Sequence, residues 1–415
     1  MSWNPFAPSV LADPANGYGE LLGRCPVHHF SDFDPPFYTL SRFADVEAAL
    51  RDIETFSSEF GQGPRFTQPV GMLCDPPQHT FYRGLVQRAF TPRMIESLRP
   101  RVRALATALI DTVCAGGAAS VDFDLHDAFA FPLPVVIIAE LLGVPTTDME
   151  RFKHWSDVQV AAMGAKDPRP YAADQAAFFA YLVQRLQQAR EIAQRTPQRQ
   201  QPTPVGTAGV TALAEAAEQP ENLLVYLAGA RDNGELLPEA QLLSVLSQLL
   251  VGGNETTTSL ITNAMWRLLQ FGLWPEVVAH PELIDAAVEE SLRFDPPVLS
   301  LYRNTTREVR LHDVTIPQGA KVCLHYAAAN RDPDVFTAPD RFDLHRPRQR
   351  HLAFGLGVHF CLGAPMARLE AHVALATLAQ RLPQLSLLND GERIAPFFLW
   401  GRRRLPVRGV INHPL

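Results

Sequence analysis

Phe354-Gly355-Leu356-Gly357-Val358-His359-Phe360-Cys361-Leu362-Gly363 sets one thiol among glycines and aromatic rings, just ahead of a helix that runs from about Ala364 to Leu382 and stops at Pro383. A cysteine that ligates a metal does so as the thiolate, and a thiolate is stabilised where backbone N–H groups and a helix N-terminus point at it. This segment can supply both. The glycines let backbone pass close to a flat ligand with no Cβ in the way, and Pro365 falls in what would be the first helical turn. A structural zinc site would need four closely spaced ligands, and His359 with Cys361 supplies only two.

The chain around this loop has 415 residues, 47% of them hydrophobic, enough to bury a large core and enclose a cofactor. Its 37 basic and 44 acidic residues leave a formal net charge of −7, which argues against nucleic acid as the main partner. Five scattered cysteines, Cys25, Cys74, Cys114, Cys323 and Cys361, suit a reducing cytoplasm better than a disulfide framework. The start of the chain has neither a basic n-region nor a long apolar run, so no signal peptide or membrane anchor is expected.

Apolar residues at three- and four-residue spacing predict helices near 43–50, 93–114, 131–142, 147–163, 170–195, 238–271 and 281–294. Short strand-like pieces fall at 37–40, 309–316, 321–325 and 405–410. The fold class is therefore mainly α with a small β portion, expected as a single domain over 1–415. The Gln-, Pro- and Thr-rich stretch 196–220 has no apolar face and reads as a mobile loop insertion.

The helix opened by Pro238 would be roughly 50 Å long. Its flanks are apolar, but its centre reads Gly252-Gly253-Asn254-Glu255-Thr256-Thr257-Thr258. Each glycine costs about 1 kcal/mol relative to alanine in a helix, and rules broken in this way tend to mark functional sites. Thr256, four residues after Gly252, can hydrogen-bond back to that carbonyl and open a groove. Glu290 and Arg293, three apart on another predicted helix, can pair side by side.

The cysteine loop resembles that of the cytochrome P-450 family of haem-thiolate monooxygenases, whose pattern Phe-Gly-x-Gly-x-His-x-Cys-x-Gly it meets at every fixed position. The resemblance runs from Asp75 to Val407 and implies a long central helix over a buried haem b (iron protoporphyrin IX). It implies that Cys361 is the iron ligand within a loop framed by Phe354 and Gly363. It also implies that Gly252, Glu255 and Thr256 receive dioxygen and deliver protons. His79, Arg83, Arg303 and His359 would bind the haem propionates, and Glu290, Arg293 and Arg341 would form a buried structural triad. Val298, Leu299, Phe397 and Phe398 would line an apolar substrate pocket. Arg88, Arg93, Arg346, Arg348 and Arg350 would offer a docking face to an acidic protein. The implied activity is insertion of one oxygen atom of dioxygen into a small hydrophobic substrate. Electrons would come from a separate ferredoxin and its NAD(P)H-dependent ferredoxin reductase, with the enzyme a cytoplasmic monomer. A peroxide-driven or oxidative-coupling enzyme and a non-catalytic haem-binding sensor are the alternatives.

Overall fold

The structure, a computed structural model, describes residues 3–23, 26–116, 119–165, 167–195, 223–232 and 234–411. The expected loop insertion at 196–220 lies outside the described residues. The central helix, Glu239–Gln270, has 32 residues. Its two ends bury aliphatic side chains, Leu242, Val245, Leu246 and Leu249 on one side and Leu260, Ile261, Met265 and Leu268 on the other. Around it pack the helices Pro132–Leu142, Met149–Gly164, Ala172–Arg195, Ile284–Phe294 and Ala364–Arg381. All of these were expected from the sequence within three residues at each end, the first four from apolar periodicity and the last from the cysteine loop before it and Pro383 after it.

The β portion is a five-stranded sheet in the order Val27–Phe30, Phe37–Leu40, Lys321–Leu324, Leu301–Thr305, Phe56–Ser57, with a smaller sheet of Gln384–Leu387, Pro406–Val410 and Ser120–Asp124. Lys321–Leu324 runs parallel to Phe37–Leu40 and antiparallel to Leu301–Thr305, which puts Arg303 opposite Val322. Among the described residues no helix is long and apolar enough to cross a membrane.

One buried ion cluster ties the Ile284–Phe294 helix to the segment that leads into the cysteine loop. Arg293 donates to Glu290 through Nε at 2.8 Å and Nη2 at 2.7 Å, both side chains being almost fully buried. The third member is Arg346 and not Arg341, which corrects the sequence expectation. Arg346 Nε lies 3.2 Å from both carboxylate oxygens of Glu290. The Arg341 side chain is 74% exposed and contributes its carbonyl, which accepts from Arg293 at 3.1 Å and from Arg346 at 2.9 Å. Arg346 also donates to the carbonyls of Thr337 and Ala338. Ala338 sits at φ +45°, a conformation rare for a residue with a Cβ, so these bonds hold a turn that would otherwise relax. Burial in this cluster also takes Arg346 out of the expected basic docking face.

Arg346→Ala should accordingly lower stability by on the order of 3–5 kcal/mol, as expected when a buried charge loses its partner. Arg341→Ala should change it by no more than about 0.5 kcal/mol. Urea unfolding of the two variants checks this, and equal losses would return Arg341 to the cluster.

Candidate active site

The cysteine loop holds its shape through two left-handed glycines, Gly355 at φ +66° and Gly357 at φ +74°. A Cβ at Gly357 would lie 2.7 Å from the Leu50 carbonyl oxygen, so any larger residue there pushes the loop off the Phe43–Arg51 helix. Cys361 N–H donates to the Phe354 carbonyl at 2.9 Å. The Phe354 ring is backed by the Arg368 guanidinium at 4.6 Å, and Arg368 is fixed by a two-point bond to Glu289. Burial alone would raise the Glu289 carboxyl, but hydrogen bonds from His351 and Arg368 outweigh it and hold the group down at about 2. Thus Glu289, His351 and Arg368 brace the loop from beneath. The sequence reading missed all three, since each alone is an ordinary charged residue.

The Cys361 thiol is pushed up by burial. It is drawn back by the N–H groups of Gly363 and Ala364, at the start of the Ala364–Arg381 helix, and by the Arg83 and Arg368 guanidiniums. The residue is nonetheless exposed rather than packed over by side chains. A thiol with two N–H donors, a helix N-terminus and two cations around it is a donor suited to iron.

On one flank of the loop the structure gathers His79, Arg83, Arg303 and His359. The His79 and His359 rings meet edge to face at 4.4 Å. His359 Nε2 lies 3.5 Å from Asp75 Oδ1 and 3.3 Å from Ser58 Oγ, and its Nδ1 lies 3.4 Å from Gln62 Nε2. Buried Arg303 donates one bond, to the Tyr302 carbonyl at 2.8 Å, and the buried Nδ1 of His79 has no partner. Burial, then His359 and Arg83, lowers His79 to about 4. Burial also lowers His359, with Arg303 and Arg83 adding to it against the pull of Asp75. Burial would raise Asp75, but bonds from His359, Ser57 and Ser58 keep it low. Two guanidiniums and two imidazoles thus surround one carboxylate. Such a cluster is short of negative charge, and the two propionates of haem fit it. Asp75, Ser58 and Gln62 were not singled out from sequence, although Asp75 opens the segment that was read.

In the central helix Thr256 Oγ1 donates to the Gly252 carbonyl at 2.7 Å, the back-bond expected from the four-residue spacing. A Cβ at Gly252 would meet nothing within 4 Å, so packing does not require glycine there and the helix face is open. Glu255 is 3% exposed, and its carboxyl is raised to about 7 by burial and by Asp157, against Ser259 and Lys153. Ser259 Oγ donates to it at 3.4 Å. Asn254 Nδ2 donates to Ser156 at 3.3 Å, which ties this turn to the Met149–Gly164 helix.

The four expected lining residues come together as two backbone-paired segments. Val298 bridges Leu399, and Leu299 N–H donates to the Phe398 carbonyl at 2.9 Å. The Phe397 ring belongs to an aromatic cluster with Phe6 at 4.6 Å and Phe33 at 5.8 Å, and Phe398 is 1% exposed.

A family model described as Cytochrome P450 matches residues 276–393. The erythromycin C-12 hydroxylase of Saccharopolyspora erythraea is 36% identical over 88% of this chain and 87% of its own length. The vitamin D(3) 25-hydroxylase of Pseudonocardia autotrophica is 34% identical over 92% and 89%. The solved structure of cytochrome P450 CYP109Q5 from Chondromyces apiculatus superimposes with a TM-score of 0.81 at 34% identity, covering 99% of this chain and 98% of that one. With the fold, the cysteine loop and the cationic cluster in agreement, the chain belongs to the cytochrome P450 family and is a haem-dependent monooxygenase.

Proposed function

We propose that this enzyme hydroxylates a compact hydrophobic molecule, with electrons from a ferredoxin and its NAD(P)H-dependent reductase. Bound haem supplies the iron at which dioxygen is activated and one of its oxygen atoms is passed to the substrate. Cys361 would hold the iron as thiolate, with the Gly363 and Ala364 N–H groups drawing the sulfur toward that form against burial. His79, Arg83, Arg303 and His359 would hold the propionates. Phe354 and Gly363 frame the thiolate, while Glu290, Arg293 and Arg346 keep the scaffold behind it rigid.

The observation that carries the reading is the occurrence of a back-bonded threonine and a buried acid at consecutive positions in the middle of the central helix. Thr256, fixed by donating to Gly252, turns its hydroxyl oxygen toward the groove as an acceptor, and can donate there once its O–H turns away from that carbonyl. Glu255, titrating near 7, can resupply it. A peroxide-driven or oxidative-coupling enzyme, or a haem sensor, has no need of that pair. Val298, Leu299, Phe397 and Phe398 favour an apolar substrate, since burial of apolar surface is worth about 25 cal/mol per Å². Relatives that hydroxylate erythromycin and vitamin D(3) by name support hydroxylation. Arg65 is a poor carboxylate anchor: its guanidinium donates to the Ala165 carbonyl at 2.5 Å and stacks on Phe33. The free thiols Cys74, Cys114, Cys323 and Cys361 suit a reducing, cytoplasmic setting.

Cys361→His should abolish the strongly red-shifted Soret band of the reduced carbon monoxide complex, and a band that survives would remove Cys361 as ligand. Thr256→Ala should keep haem and substrate binding while product per NADH falls several-fold and hydrogen peroxide rises. Because the raised Glu255 carboxyl is protonated below about 7 and loses its proton above it, product per NADH should decline as pH rises from 6 to 8. Glu255→Gln should flatten that profile and cost on the order of 10²-fold in turnover. An unchanged profile in that variant would remove Glu255 from proton delivery.

A further inference from the structure

Lys321 is fully buried without a carboxylate. It begins the strand Lys321–Leu324, is 0% exposed, and has no ion pair among the described residues. Its Nζ meets three neutral oxygens: the carbonyls of Phe60 and Gly61 at 2.9 Å each and Asn304 Oδ1 at 3.1 Å. The half-exposed Phe66 ring lies over Nζ at 5.2 Å.

Those two carbonyls form the neck of a loop. Thr67 N–H donates to the Phe60 carbonyl at 3.1 Å and Gly61 N–H to the Ser58 carbonyl at 2.9 Å, so residues 60–67 close on themselves. Gly61 is at φ +87°, where a Cβ would lie 2.1 Å from Thr67 Oγ1, and the closed neck admits no other residue. The loop and the residues flanking it touch three other parts of the fold. Ser58 and Gln62 hold the His359 ring. Arg65 reaches the end of the Met149–Gly164 helix at Ala165. Beyond it, the Val70 carbonyl accepts from Ser244 of the central helix at 3.0 Å.

We propose that Lys321 is a positioning residue, the latch whose side-chain nitrogen fastens the neck of the 60–67 loop, and that the loop opens with release of Lys321 to water, whatever the substrate. The charged groups near this neck are Arg303 on the neighbouring strand, Glu59 and Arg65 on the loop, and Asp75 and His359 across Ser58. Burial, then Arg303, lowers Lys321 to about 7 in the closed loop, whereas a solvated lysine titrates near about 10.4. Between those values the closed lysine is a neutral amine, whose two N–H groups still serve the Phe60 and Gly61 carbonyls, and the open form binds the extra proton. By linkage, closure therefore strengthens as pH rises through that window and weakens as pH falls toward about 7.

The test is limited trypsin cleavage after Arg65 in the haem-loaded protein, corrected at each pH for cleavage of a short peptide with the same site. Wild-type cleavage should fall several-fold from pH 7 to pH 9. Lys321→Met, which cannot carry charge, should remove this pH dependence and raise cleavage at pH 8 about tenfold, because two neck carbonyls lose their donor. Asn304→Asp, which gives the ammonium a counter-charge, should flatten the pH dependence while leaving cleavage no faster than wild type. The latch is overturned by a wild-type profile that is flat or rises with pH. It is equally overturned if Lys321→Met keeps the wild-type slope, or if that variant is cleaved faster at all trypsin sites alike.

Discussion

The whole arrangement depends on keeping one sulfur anionic inside protein. Burial alone pushes the Cys361 thiol up, toward the neutral form that binds iron poorly. Every feature of the loop acts against that. The left-handed Gly355 and Gly357 turn the backbone so that Cys361 N–H closes on Phe354, and the start of the Ala364–Arg381 helix then brings two further N–H groups to the sulfur. A loop with that duty cannot move freely, which is why so much of the surrounding polar structure leads back to it. Glu289, His351 and Arg368 brace it from below, and Glu290, Arg293 and Arg346 hold the chain that enters it.

The central helix solves a different problem. A carboxylate, several hydroxyls and two glycines in mid-helix are poor choices for a buried element. They are tolerated because the apolar turns on both sides fasten the helix, while Asn254, Glu255, Thr257 and Thr258 are buried against its neighbours and the Gly252 position is left open. Nothing lies within 4 Å of where a Cβ of Gly252 would be, and Glu255 is raised to about 7 instead of being neutralised by an ion pair. A group held near 7 in this way exchanges its proton readily, whereas one locked to an arginine would not.

How much of this was legible in sequence depended on the range of the interaction. The cysteine loop and the Gly252–Thr256 back-bond are local, with residue identity and spacing carrying the geometry, and both were read correctly. The amphipathic helices were legible for the same reason. The strand Ser120–Asp124 was not, because it pairs with Pro406–Val410 far along the chain and shows no clean alternation of burial. Arg341 was assigned to the triad by resemblance, from its place in Phe-Thr-Ala-Pro-Asp-Arg-Phe, whereas Arg346, five residues on, is the side chain that reaches Glu290. The choice is made by the turn at Ala338, which swings the Arg341 carbonyl inward and its side chain out. No pattern in one sequence encodes that turn.

The cationic cluster was read residue by residue, yet its physical meaning emerges only when its charges are counted together. His79, Arg83, Arg303 and His359 each admit a bland reading as a satisfied or solvated side chain. Placed around Asp75 alone, with His79 lowered to about 4 and Arg303 holding a single carbonyl, they form a site whose electrostatics remain unbalanced until anionic groups enter it. Haem with its propionates would thus act on the fold as well as on the chemistry. It would supply the missing negative charge beside His359, and His359 in turn holds Ser58 and Gln62 at the base of the loop that borders the substrate side. Cofactor retention and the geometry of the active-site entrance therefore share one set of hydrogen bonds, and a change on either side is felt on the other.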